Sequence, residues 1–572
     1  MSAADVVASL ARTDSTDLNS PNPALVTHRA AQRLPRIALL LFCAAYVLPG
    51  LFGRDPWKSA DITAFGYMLN IAQGRTSWLE PTVGGLAADS ALLPYWIGAA
   101  FIHTLGPWVD PALAARIPFA LLLVLVLVLV WYATYYLARD EAAQPLPLAF
   151  GGEATPIDYA RAIADGALLA LIASLGLLQL GHETTPELVQ LASVALFLYA
   201  LAAMPFRVRQ GRLAVLLSLP ALAASGAPSI AVFLGVVAAI VCRLSPDPEV
   251  RRATLWVWLS AVAAALVAGA FGAWAWRLGR YETAGQIGSL LRQLVWFTWP
   301  AWPLALWTLW RWRLRLLSRH IAYPLACVAV SLAACIAMAG SDRALMLGLP
   351  PLAVLAAFAL PTLQRSTAAA IDWFSVFFFS IAALTIWIIY ISMQTGIPAK
   401  PAANIARLAP GYVSSFSVIA LVFAIAGSAA WLWLVHWRTR RTRHPLWKSM
   451  VLPASGVSLC WLLVMTLLLP PLDHARSYRS LVTRIALQVP PDACIAAPGM
   501  PRAQVVALEY LGGYRVDAKA SASTTNCTFL LLMENRQTTA PAAPGWQLVA
   551  RERRNTNDED VTIVYRRAKA SG

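Results

Sequence analysis

Charge is what this sequence has least of. Of its 572 residues only 13% are Asp, Glu, Lys or Arg, while 59% are hydrophobic. A soluble protein of that length could hardly stay dispersed with so little charge. Cysteine is sparse too. The seven are too scattered for a metal-binding motif, and five (Cys43, Cys242, Cys327, Cys335, Cys460) fall in apolar stretches, where cysteine behaves as a small core residue. The first apolar stretch starts only near Ile37, after a long polar lead, which speaks against a cleavable signal peptide. No internal repeat marks a duplicated transporter architecture.

What the chain has instead is about thirteen apolar stretches followed by a polar tail of roughly a hundred residues; a bilayer core of about 30 Å needs about 20 apolar residues per helical crossing. Backbone groups in lipid must bond to one another, so these stretches are expected to be helices and not the alternating strands of a barrel. The expected crossings are 36–52, 117–137, 163–181, 188–205, 213–226, 228–242, 254–276, 294–310, 321–340, 345–361, 373–392, 414–436 and 450–470. Leu92–Leu105 reads as interfacial. The weakest pair, 213–226 and 228–242, is separated by Ser225-Gly226-Ala227-Pro228 and reads as a broken hairpin. The fold class is therefore an all-α polytopic membrane protein with a small α/β domain at its C-terminus.

The net charge of +16 would suggest nucleic acid in a soluble protein. Here the cations collect in short loops: Arg207, Arg209 and Arg212; Arg311, Arg313, Arg315 and Arg319; Arg438, Arg440, Arg441, Arg443 and Lys448. That distribution follows the positive-inside rule and leaves no nucleic-acid partner to invoke. It divides the chain into a disordered cytoplasmic lead (1–35), a transmembrane domain (36–472) and a periplasmic domain (473–572) of a bacterial inner-membrane protein. In the tail, Tyr478, Leu481, Val482, Ile485 and Val489 form a helical stripe, and Phe529–Met533, Trp546–Ala550 and Val561–Tyr565 read as strands. With the tail outside the cytoplasm, its only cysteines, Cys494 and Cys527, can form a disulfide.

Three polar clusters on the outer face could carry chemistry. The first is Gly53-Arg54-Asp55-Pro56-Trp57-Lys58-Ser59-Ala60-Asp61. Asp55-Pro56 suits the start of a short amphipathic interfacial helix carrying Ile62, Phe65, Leu69 and Ala72. Capping does not exclude catalysis by a carboxylate set beside Arg54 and Lys58. Asp61 could bind a metal or sugar, or be a solvated helix residue. The second cluster is His182-Glu183-Thr184-Thr185-Pro186-Glu187. Thr185-Pro186 again reads as a cap and Glu187 suits the first helical turn; the functional alternative has Asp55 and Glu187 meeting across a cavity, with His182 as a ligand or proton carrier. The third is Gly340-Ser341-Asp342-Arg343. Either Asp342 and Arg343 pair locally, or Arg343 binds phosphate, whose oxygens a guanidinium matches.

The first loop, with Trp78, Pro81, Gly85-Leu86 and Tyr95-Trp96, resembles the first periplasmic loop of the aminoarabinose transferase and protein O-mannosyltransferase superfamily. His182–Glu187 sits where that family places its second acidic residue, with Glu187 the preferred match, and Ser341–Arg343 with Leu349-Pro350 is similar to a later motif. The resemblance implies the GT-C fold and inverting transfer of a sugar from a polyprenyl-phosphate carrier to a lipid, glycan or protein acceptor. Asp55 and Glu187 would be the catalytic pair. Arg54, Lys58, Asp61, His182, Glu183 and Arg343 would bind substrate, and a divalent metal ion is a candidate cofactor. Asp55 would assist acceptor deprotonation or organise the site, while positive charge steadies the departing phosphate. The chain departs from the family at Asp89-Ser90-Ala91-Leu92, where aminoarabinose transferases carry an acidic-Lys-Pro-Pro stretch. Lys58, Arg54 or Arg343 would replace the missing lysine, and the absence of histidine between Arg277 and Gln293 argues against a histidine-rich metal site there. A transporter or flippase for a lipid-linked envelope precursor is the rival reading; it calls for ionisable residues in mid-crossing, whereas the acids here cluster at the outer ends.

Overall fold

The computed structural model describes residues 23–568 except 58, 90, 147–151, 246, 275–277, 282, 440–444, 535–543 and 555–559. Lys58 and the basic residues Arg440, Arg441 and Arg443 lie outside the described residues. Eight helices among those described are long and apolar enough to cross a bilayer: Pro111–Ala138, Pro186–Ala203, Val250–Ala270, Arg319–Ala337, Asp342–Thr362, Arg365–Thr395, Val418–Arg438 and Lys448–Leu467. Each matches one expected crossing. The other five expected crossings are helical but fall short of that standard. Four correspond to Arg36–Val47, Pro156–Ala173, Val208–Ala224 and Pro228–Leu244. The fifth, 294–310, is split between Ala284–Phe297 and Ala301–Arg311, because Pro300 between them has no N–H with which to continue a helical ladder.

Packing explains which faces these helices turn inward. Along Pro111–Ala138, Leu121, Val124, Leu125, Val128 and Tyr132 are exposed, while Leu123, Val126, Leu127 and Val130 are buried. The exposed set has helical spacing, so one stripe is left for lipid and the opposite one enters the bundle. Leu92–Leu105 is a 14-residue helix, too short for a crossing. Part of the N-terminal lead, expected to be disordered, is instead packed: Ala24, Val26, Ala31 and Leu34 are buried. The Leu34 N–H donates to Asp165 Oδ2 (2.8 Å), and Trp447 Nε1 donates to the Gln32 carbonyl (2.7 Å).

The tail is an α/β unit, as its residue pattern indicates. Its strands are β3 (Cys494–Ala496), β4 (Arg515–Asp517), β5 (Phe529–Glu534), β6 (Trp546–Arg553) and β7 (Val561–Arg567), in the spatial order β4-β3-β5-β7-β6. β3 runs parallel to β4 and β5, and β7 runs antiparallel to β5 and β6. A disulfide joins Cys494 and Cys527. A separate two-residue hairpin, β1 (Thr82–Val83) and β2 (Leu86–Ala87), belongs to the first long loop.

The loop helix Ala60–Ala72 departs from expectation in two ways. It begins after Ser59, so Asp55-Pro56 is not its cap. Nor is it an interfacial amphipathic helix, because Ile62, Phe65, Met68, Leu69 and Ile71 are all buried. The tail covers the face that would have met solvent. Glu509 accepts from Asn70 Nδ2 (3.2 Å) and the Gly84 N–H (3.0 Å), and the Ala518 N–H donates to the Gly84 carbonyl (2.9 Å). A Cβ on Gly66 would stand 2.2 Å from Val506 Cγ2, so glycine is what lets the helix Arg502–Gly512 approach.

Gly66→Val should therefore cost about 1–3 kcal/mol of stability through overpacking, read as a lower unfolding midpoint in detergent. Adding Val506→Ala should recover much of it, whereas simple additivity of the two changes would show that the contact does not set the docking.

Candidate active site

Three clusters converge at one end of the bundle. The innermost is a buried clamp. Arg54 donates through Nη1 to Asp61 Oδ2 (2.8 Å), through Nη2 to the His182 carbonyl (2.8 Å) and through Nε to the Gly50 carbonyl (2.9 Å). Asp61, 1% exposed, also accepts from the Trp57 N–H (3.0 Å), the Thr184 N–H (2.9 Å) and the Thr184 hydroxyl. Arg116 closes the knot by donating to the Arg54 carbonyl (2.6 Å). Burial raises the Asp61 pKa, but Arg54 and Arg116 prevail and hold it down at about 2. His182 lies between two backbone carbonyls, with Nδ1 2.7 Å from that of Leu178 and Nε2 2.8 Å from that of Tyr46. Burial outweighs those contacts and, with Arg54 nearby, lowers its pKa to about 4. At neutral pH the ring therefore carries one proton and can donate to only one of the carbonyls.

The second cluster joins the first loop to the start of the tail. Asp55 Oδ2 accepts from the Ser477 hydroxyl (2.6 Å) and Arg479 Nε (2.9 Å), and its Oδ1 accepts from Arg479 Nη2 (2.6 Å). Burial opposes ionisation, but the Arg479 and Ser477 bonds win and the Asp55 pKa falls. The Asp55 N–H (2.9 Å) and Trp57 Nε1 (2.8 Å) both donate to Asp473 Oδ1. Burial, with the Asp55 charge adding to it, raises the Asp473 pKa. The Arg54 and Arg476 guanidinium carbons lie 4.8 and 4.9 Å from the Trp57 ring centroid, within cation–π range.

The third cluster stands at a cavity. Arg343 donates through Nη1 to Glu187 Oε2 (2.8 Å) and through Nη2 to Glu183 Oε2 (2.9 Å). Local pairing of the Asp342 and Arg343 side chains does not form: the Arg343 guanidinium pairs with the two glutamates, and its backbone N–H meets Asp342. Burial raises the Glu183 pKa despite bonds from Gln179 and Arg343. The cavity measures about 520 Å³ between the helices Pro228–Leu244 and Arg319–Ala337. Glu187, Gln190, Ser341 and Arg343 line its polar part, and Ile230, Phe233, Val237, Val330 and Ala333 extend an apolar wall along the helices. Gly226, with φ +87°, turns the chain between Val208–Ala224 and Pro228–Leu244 at its edge.

The structure therefore brings together Arg54, Asp61 and His182, and separately Glu183, Glu187 and Arg343. It does not place Asp55 with Glu187: Asp55 pairs with the tail and is absent from the cavity lining. Arg54 has its guanidinium spent on internal partners, so it positions the loop. Asp473, Arg476, Ser477 and Arg479 escaped the sequence reading. Their signal was a polar run, Asp473–Arg479, directly after the last apolar stretch. Among the described residues no group of three His, Cys, Asp or Glu side chains could hold a metal ion. Asp55 and the two glutamates face arginines instead, so the donor set does not fit a resident metal.

No family model matches the chain, and no curated protein matches it in sequence. Among solved structures it is similar to ArnT from Cupriavidus metallidurans bound to undecaprenyl phosphate, with TM-score 0.60 and 14% identity over 92% of this chain and 96% of that one. The apo state of the same protein gives TM-score 0.60 and 15% identity over the same shares. The chain thus shares the fold of that protein, and the helical membrane bundle with a small C-terminal α/β unit expected from the sequence is the one observed.

The Arg54–Asp61 clamp predicts an acid dependence. The folded-state pKa of Asp61, about 2, lies below its ordinary 3.8. Its contribution is present above about pH 4 and is lost as pH falls through about 2. Asp61→Asn should cost about 3–5 kcal/mol by leaving Arg54 buried and unpaired. An unchanged unfolding midpoint in detergent would remove the clamp from its structural role.

Proposed function

We propose that this chain is an inverting GT-C glycosyltransferase that moves a sugar from a polyprenyl-phosphate carrier to a lipid, glycan or protein acceptor. It would act at the periplasmic face of a bacterial inner membrane, with the tail in the periplasm. The cavity carries the reading. Its apolar wall suits a lipid chain, and its charged end, at the ends of the helices, suits a phosphate and a sugar. The fold shared with ArnT, which has been solved bound to undecaprenyl phosphate, supports the same donor class.

In this reading the guanidinium groups supply the positive charge that the leaving phosphate requires. Arg343 is the cation in the cavity lining, held in place by Glu183 and Glu187. A phosphate arriving there would compete with the glutamates for its Nη groups, freeing Glu187 to accept from sugar hydroxyls. Arg476 is the second candidate. It stacks on Trp57, and among the described residues it forms no ion pair. Asp55 serves as an ionised anchor that fixes the loop to the tail, since a carboxylate with three charged or hydroxyl donors is a weak base. Asp61 and His182 set the geometry, and no step is assigned to a metal. The transporter alternative gains no specific observation.

The test measures sugar transfer from polyprenyl-phosphate donors, alongside undecaprenyl phosphate binding, in membranes carrying the chain. Wild type should do both. Arg343→Gln should lower transfer about 10²–10³-fold, the scale for losing one charge-stabilising donor. Neither binding nor transfer by wild type, across several sugar donors, would reject the proposal.

A further inference from the structure

The cavity is lined by one amide side chain whose hydrogen-bonding direction is fixed. Gln190 follows Glu187 by three positions in the helix Pro186–Ala203, so the two stand on one face, a turn apart, and both line the cavity. Gln190 is 8% exposed. Its Nε2 donates to the Ser225 carbonyl (2.7 Å), where the chain turns between the helices Val208–Ala224 and Pro228–Leu244. A carbonyl can only accept, so the amide cannot be turned end for end. Its Oε1 accepts no bond from any described residue, and it is not among the polar atoms sealed from solvent without a partner. In a residue this buried, the exposure left to Oε1 is toward the cavity. Gln190 therefore offers the cavity an acceptor and no donor.

An acceptor in that place sorts the parts of a polyprenyl-phosphate sugar. The polyprenyl chain has no polar hydrogen, and an ionised phosphodiester can only accept. The sugar alone carries hydrogen-bond donors. Arg343 and Gln190 thus select opposite partners, the guanidinium taking phosphate oxygens and the amide oxygen taking a sugar hydroxyl. Ser229 and Ser341 also line the cavity, but a hydroxyl can donate or accept and imposes no such choice.

Resting on the transferase reading, we propose that Gln190 is a specificity-determining residue that accepts a hydrogen bond from one hydroxyl of the donor sugar. Glu187 and Gln190 then form the sugar-facing edge of the cavity, while its apolar wall takes the polyprenyl chain. The bond to Ser225 sets the amide before any ligand arrives, so little ordering remains to be done on binding. A donor that lacks the hydroxyl leaves Oε1 desolvated and unpaired. That is how a buried polar group rejects a close analogue.

Donor selectivity in the purified full-length protein tests this. Transfer kcat/KM is compared between the undecaprenyl-phosphate hexose or pentose that the wild type uses best and its monodeoxy analogues, with undecaprenyl phosphate binding measured alongside. Wild type should disfavour one monodeoxy donor about 10–100-fold. Gln190→Met, which keeps the volume and removes the amide, should bring that donor and its parent within about threefold of each other. It should leave undecaprenyl phosphate binding unchanged. A residue that only held the Ser225 carbonyl would weaken both donors and undecaprenyl phosphate together and keep the ratio of the donors. Gln190→Lys keeps a donor for Ser225 and has no acceptor. It should lose the same discrimination, which covers the case in which the methionine variant does not insert. Equal use of every monodeoxy donor by wild type, or undiminished discrimination in a variant that inserts, would overturn the assignment. Absence of transfer by wild type, across all these donors, would instead overturn the transferase reading from which it follows.

Discussion

The buried pair between Arg54 and Asp61 is the constraint on which the rest of the site depends. A buried ion pair contributes little net stability, because desolvating both charges offsets most of their attraction. What it can supply is uniqueness of arrangement. Asp61 takes donors from its own loop at Trp57 and from the Thr184 segment, and Arg54 reaches the His182 carbonyl. Two loops more than a hundred residues apart are thereby fixed on one charge pair. Trp57 is set in place from one side of that pair, and Glu183 and Glu187 from the other.

On this platform the tail is part of the site. The segment after the last membrane helix delivers Asp473, Arg476, Ser477 and Arg479 to the first loop within seven residues. The folded α/β unit then holds that segment down through Glu509 on Asn70 and Gly84, and through Arg502 on Asp89 (3.1 Å). Asp89 opens the stretch where the resembling transferases carry an acidic-Lys-Pro-Pro sequence. Here that acid pairs with Arg502 of the tail, so the departure in sequence coincides with a contact that docks the domain.

The membrane class, most helix positions and three of the tail strands were legible because hydropathy and short apolar runs with β-branched or aromatic members are local signals. The short strands β3 and β4 were not, since three residues make too short a run to stand out. Nor was the buried face of Pro111–Ala138, because a stretch apolar all round hides its orientation until its neighbours are known. The candidate site divides the same way. Asp61, Glu183, Glu187 and Arg343 stood out as charges between apolar runs, yet their partners did not. Arg343 meets Glu187 across 156 positions and Arg479 meets Asp55 across 424; separations of that size carry no local pattern. Asp55-Pro56 misled for a related reason: capping chemistry reads correctly in isolation, but Asp473 and Arg479 offered the residue stronger partners.

The charge arrangement bears on how such a site would tolerate its reaction. Among the described residues, Asp55, Asp61, Asp473, Glu183 and Glu187 are matched in number by Arg54, Arg116, Arg343, Arg476 and Arg479. With those groups ionised the cluster is neutral, and an enclosed site gains from creating no net charge during catalysis. A sugar phosphodiester carries one negative charge, and the phosphate monoester it leaves behind carries up to two near pH 7. Whichever carboxylate takes the acceptor's proton, the charge it loses balances the charge the phosphate gains, so negative charge moves within the cluster without accumulating. The arginines are held for different ends: Arg343, paired with the two glutamates, stands at the cavity, while Arg479 ties Asp55 to the tail.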